Sequence, residues 1–143
     1  MYDITLIIQK IIDVLKVDDE VKEPNVIRKY HYGEPTKKDR FPLAWVEFKG
    51  GRTGSETFGG PMHTHIYQVV VADQGHATDA AEKSVQGLAK KIDDVLKANT
   101  SLSGLVNDLQ LVNTEAQTVF EGDFAKSAIR LSYQVTILEV LVL

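Results

Sequence analysis

The chain has no cysteine among its 143 residues. That excludes disulfides, thiolate nucleophiles and cysteine-held zinc or iron–sulfur centres. It also suits a reducing compartment. Aromatic residues are sparse, at 8% with one tryptophan, and there are four prolines. Neither sign of charge dominates. Sixteen Lys and Arg against twenty Asp and Glu leave a formal net charge of −4, which lacks the global basic signature of a nucleic-acid binder. No apolar run approaches the roughly 20 residues of a membrane-spanning helix. Gln9, Lys10 and Asp13 interrupt the N-terminal apolar stretch and Asp3 precedes it, unlike a signal peptide. No serine sits in a Gly-x-Ser-x-Gly elbow, and no carboxylate pair stands apart as an acid and base. The sequence therefore predicts no catalytic residue, no cofactor and no membrane partner.

What is present reads as one folded domain over residues 1–143. Hydrophobic content of 43% and charged content of 25% are ordinary for a globular chain. Ile4, Ile7, Ile8, Ile11, Ile12 and Leu15 follow the i, i+3, i+4 spacing of an amphipathic helix over 3–16, with Asp3 as N-cap. Pro24 ends any helix by Glu23. Residues 25–33 read as a short strand, and 34–39 as a polar loop. PLAWVEFK (42–49) and MHTHIYQVVVA (62–72) read as antiparallel strands joined by GGRTGSETFGG (50–60), a glycine-rich mobile surface loop by composition. Residues 78–99 form the clearest helix. Its stripe is Ala81, Val85, Leu88, Ala89, Ile92, Val95 and Leu96, Thr78 or Asp79 caps its start, and Asn99 is its left-handed terminator. Strands over 109–120 and from about 124 follow, joined by a Glu121-Gly122-Asp123 turn. Strands in adjacent pairs indicate α+β: an antiparallel or mixed sheet of about four strands, in the order α-β-β-α-β-β, with both helices on one face and a partly polar second face.

The last strand carries the strongest pattern. Ile129, Leu131, Tyr133, Val135 and Ile137 alternate with Arg130, Ser132, Gln134 and Thr136, which is a half-buried strand. Then Leu138, Val140, Leu141, Val142 and Leu143 make both faces apolar, around Glu139 alone. Such a tail needs cover from its own sheet or from a second chain. The candidate assembly residues are therefore this tail and the loop Gly50, Gly51, Arg52, Thr53, Gly54, Ser55, Glu56, Thr57 and Phe58.

Three chemical alternatives come from local motifs. His63 and His65 share a strand face, as metal-binding His-x-His pairs do, and would make a small metal-binding protein or enzyme; the competing reading puts them on the solvent side of a strand. A third ligand is missing nearby, since Tyr67, Gln68, Val69, Val70 and Val71 follow. The glycine loop lacks a Gly-Lys-Ser/Thr ending and a following helix, which phosphate loops need. Arg28, Lys29, Lys37, Lys38 and Arg40, interleaved with Tyr30 and Tyr32, form a small basic cluster with aromatic rings for base stacking. It sits in a net acidic chain and reads better as a solvated loop.

The order of elements resembles the small tail terminator and tail-completion proteins of long-tailed phages and related viruses. The resemblance rests on the N-terminal helix Ile4 to Leu15, the Tyr32-Gly33-Glu34-Pro35 segment, and the strand Pro42 to Phe48. It continues through Tyr67 to Val71, the helix DAAEKSVQGLAKKIDDVLKAN with SLSGLV after it, and a final strand pair. It implies a virion structural protein, a homo-oligomeric and often hexameric ring at the head-proximal end of the tail. Such a ring is assembled in the host cytoplasm, stops growth of the tube, and contacts the tail tube protein and the head-completion or connector protein. DNA passes through it without sequence reading. Head-closure and adaptor rings share this size and role.

Overall fold

The computed structural model describes residues 3–38, 40–57, 60–75, 79–121 and 124–138. Two helices, α1 (Ile4–Val17) and α2 (Ala80–Lys97), pack on one face of a five-stranded sheet. The strands are β1 (Lys29–Tyr32), β2 (Leu43–Thr57), β3 (Gly60–Gly75), β4 (Asp108–Glu121) and β5 (Phe124–Leu138), in the spatial order β1-β2-β3-β5-β4. The α+β class stands as expected. The sheet has five strands rather than about four and is mixed, because β1 runs parallel to β2 while the other neighbours are antiparallel. A four-residue strand with a parallel partner leaves almost no period-two signal of its own.

Helix α1 starts where expected because the Asp3 carboxylate accepts the Thr5 and Leu6 N–H groups, at 2.9 and 3.3 Å. These would otherwise be orphan donors of the first turn. Ile7, Ile8, Ile11, Ile12 and Leu15 are buried, so tertiary burial outweighs the mild helix penalty of β-branched residues. Truncating a side chain such as Ile11 to alanine would cost about 2–5 kcal/mol. The expected stripe of α2 is buried in full. Its ends differ from expectation. Asp79 makes no side-chain cap bond, and Thr78 lies outside the described residues. Asn99 caps the C-terminus with its side-chain amide, which donates to the Val95 carbonyl at 2.8 Å. The positive φ angles come later, at Leu102, Ser103 and Gly104. Leu102 tolerates that backbone because its side chain is buried in the core.

The helix-side core joins both helices to Ala44, Val46, Tyr67, Val69, Val71, Ile129, Leu131, Tyr133, Val135 and Ile137. The alternating residues of β5 point there as expected. The second sheet face holds a smaller apolar patch of Leu43, Trp45, Val70 and Ala72, with Phe41 and Ala128 against it. Beside it runs a polar row across three strands. Gln68 donates to Ser132 Oγ at 3.1 Å, and Arg130 donates to Glu47 at 3.3 Å and to Gln68 at 3.4 Å. The segment linking parallel β1 to β2 lies against this face, where Glu34 meets Arg130 at 3.6 Å and Lys38 sits 5.5 Å from the Trp45 ring centre. This strap gives the second face its apolar cover.

The glycine-rich stretch corrects a sequence expectation. Residues 50–57 are not a loop but the distal half of β2, paired with β3 as far as Thr57↔Gly60. Register shifts between Phe48 and Gly50, and between Thr53 and Glu56, absorb the irregular sequence as bulges. Gly50 takes φ +128, which L side chains avoid. Composition alone signals the backbone freedom and not the pairing that uses it. Phe58 and Gly59 lie outside the described residues.

Candidate functional site

His63 and His65 stand on the same face of β3, with Tyr67 next along it, but that face is inside. They are 8% and 3% exposed, which overturns the expectation of a solvent-side pair. His63 Nδ1 shares a hydrogen bond with Thr53 Oγ1 across the β2–β3 ladder, at 3.1 Å. His65 Nδ1 shares one with the Tyr67 hydroxyl, at 3.0 Å. The Phe48 ring meets the His65 ring edge-on, with centres 5.3 Å apart. Across from His65 is Gly51, where a Cβ would stand 2.5 Å from His65 Cδ2. The glycine therefore opens the space that the imidazole fills. Burial, followed by the charge of His63, lowers the His65 pKa and favours the neutral ring. Among the described residues no group of three His, Cys, Asp or Glu could hold a metal; His31 is on β1 and His76 lies outside the described residues. The pair packs within the distal hairpin, at the wall of a recess shared with Ile4, Phe48, Gly51, Arg52 and Thr53.

The basic cluster over 28–40 is divided by the fold. Tyr30 is buried and its hydroxyl donates to the Val21 carbonyl at 2.7 Å, so it presents no ring for stacking, whereas Tyr32 is exposed. Lys38 is engaged by Glu34 at 3.7 Å and by the Trp45 ring. Of the cluster, Lys38 serves the strap, while Arg28, Lys29, Lys37 and Arg40 are exposed. The glycine stretch is a strand without a following helix, so it makes no phosphate loop.

What the described residues leave open is the rim of the sheet. At one end is β4, paired only with β5. No described strand lies against its outward row of backbone groups. It is exposed along most of its length, including Val112 at 48% and Val119 at 43%. Val112 is the extra residue of the bulge between Leu111 and Asn113. At the other end, β1 covers β2 only from Leu43 to Val46. Beyond that no described strand pairs with the outer edge of β2, and Lys49, Gly51, Arg52 and Thr53 are exposed.

Several expected assembly residues fall on this rim. Gly50, Gly51, Arg52, Thr53, Gly54, Ser55, Glu56 and Thr57 all lie in β2. Leu138 ends β5 across from Met62, 37% exposed, with its N–H donating to Asn107 Oδ1 at 2.7 Å. Phe58, Val140, Leu141, Val142 and Leu143 lie outside the described residues. The β4 edge was not among the expected site residues. Its signal was the mixed polarity of DLQLVNTEAQTVFE, with Val112 and Val119 outside any clean alternation.

No helix among the described residues is long and apolar enough to cross a membrane. No protein-family model matches the chain, and no curated protein does. Among solved structures, the fold matches a chain described as belonging to the virion of a native gene transfer agent particle. The TM-score is 0.52 at 12% identity, over 88% of this chain and 91% of that one. At that identity the likeness is one of fold.

Proposed function

We propose that the chain is a structural protein of a virion. In this reading it forms a homo-oligomeric ring, six-membered, at the head-proximal end of a tail, as a tail terminator or tail-completion protein. The observation that carries the reading is the fold shared, nearly end to end, with a chain of a gene transfer agent virion. The element order that resembles tail terminators points the same way. A sheet with two open edges on opposite sides suits a protein completed by its neighbours. The histidine pair, the most chemically suggestive feature of the sequence, is occupied by packing, which favours a structural role over a catalytic one. The partners in this reading are further copies of the chain, the tail tube protein and the head connector, with DNA passing through the ring unread.

The test is a particle-producing strain lacking this gene. The expected result is intact heads, tail tubes of uncontrolled length and no joined particles, with the chain present in purified wild-type particles. Normal joined particles without the gene, or wild-type particles that lack the protein, would overturn the reading.

A further inference from the structure

Among the described residues the sheet has two open edges, and they differ. The outer edge of β4 runs the length of a fourteen-residue strand. It carries Asp108, Glu115 and Glu121 and no lysine or arginine. The outer edge of distal β2, residues 47–57, carries Lys49 and Arg52 together with Glu47 and Glu56. Of its acids, Glu47 is turned toward Arg130 and Lys49, at 3.3 and 3.6 Å. The two edges lie at opposite ends of the strand order, separated by β3 and β5.

We propose that the β4 edge of one copy pairs with the distal β2 edge of the next, continuing the sheet from subunit to subunit. This rests on the ring reading above and names the surface that builds the ring. An open edge is satisfied by another strand, which supplies the missing backbone hydrogen bonds. Charge selects which strand. Pairing β4 with a second β4 sets three acids against three acids, and like charges across a strand pair are destabilising. Pairing β2 with a second β2 brings Lys49 and Arg52 against their own copies. The unlike combination sets the acids of β4, which has no base of its own, against Lys49 and Arg52. Unlike patches on one molecule make a head-to-tail contact, which closes into a ring when the rotation permits and runs on as a filament when it does not.

The cysteine-free chain makes the test direct. Thr114→Cys on β4 and Thr53→Cys on β2 both replace exposed residues and leave the charges of the two edges in place. Each variant is treated with a flexible bismaleimide alone and in an equal mixture, with particle mass measured in parallel. The expected result is covalent dimer in the mixture, none with either variant alone, and a ladder with the double variant. Dimer from Thr114→Cys alone would show like-edge pairing and overturn the proposal. Rings that form without cross-links would overturn the edge pairing and leave the ring reading standing. Cross-linked open filaments would support the edge pairing and count against the ring. A chain that stays monomeric and uncross-linked would overturn both.

Discussion

Gly51 faces His65 across the β2–β3 ladder so closely that a Cβ at Gly51 would lie 2.5 Å from His65 Cδ2 and 3.1 Å from the Thr64 carbonyl oxygen. The imidazole has little freedom to move, held by Tyr67 and packed by Phe48. Gly51→Ala should therefore destabilise the fold by about 1–3 kcal/mol, the cost of overpacking. Much of that loss should return in Gly51→Ala/His65→Ala relative to His65→Ala alone. Urea unfolding of the four proteins as a double-mutant cycle measures the coupling; additive effects would show that the contact carries no strain.

The lowered His65 pKa has a definite sign in stability. Above about pH 6.5, the ordinary histidine value, the ring is neutral in both folded and unfolded chains and its contribution is intact. As pH falls below that value, the unfolded chain takes up the proton first and stability declines toward the folded-state pKa. Melting temperature should thus drop between pH 7 and 5 in the wild type. The drop should be smaller in His65→Gln, compared at each pH with its own pH 7 value. Parallel curves would remove His65 as the cause.

Tyr133 is 1% exposed, and its hydroxyl donates to Asp93 at 2.9 Å, joining β5 to α2. Burial, with this bond to Asp93 second, raises its pKa. Tyr133→Phe should cost on the order of 1 kcal/mol in urea unfolding. The loss stays small because Asp93 keeps Lys97 at 2.8 Å. A neutral substitution would show that the bond adds nothing beyond the packed ring.

Arg130 joins the strap to the sheet, reaching Glu34 at 3.6 Å as well as Glu47 and Gln68. Arg130→Met keeps the length of the stem and removes the ties. Trypsin should then cut faster in the strap, which offers Lys37, Lys38 and Arg40. Cleavage at the wild-type rate would mean that the apolar contact of Phe41 holds the strap by itself.

Removing residues 138–143 should impair assembly or solubility, because Leu138 and the apolar residues after it fit a covered surface better than water. Size-exclusion mass before and after truncation decides this. A truncated chain that assembles as fully as the intact one would set the idea aside.

Much of the fold was legible because its periodicity is local. Both helix stripes, the Asp3 cap and the alternation from Ile129 to Ile137 read correctly from spacing. The failures share one cause, a partner distant in sequence. The pairing of Lys29–Tyr32 with β2 depends on the strap. The glycine run reads as loop until β3 is placed beside it, with His65 in the space left by Gly51. His63 and His65 read as solvent-facing because nothing local announces Phe48 and Thr53 of β2 against them. The β4 edge is visible only once the strand order is known.

The central claim is that this chain works as a ring, and particle mass with symmetry tests it most directly. Purified protein, alone and mixed with tail tubes, should give closed rings of six subunits in averaged electron micrographs, at six times the 15.9 kDa chain mass. A single species at the chain mass under both conditions, with no ring on the tube ends, would contradict the account.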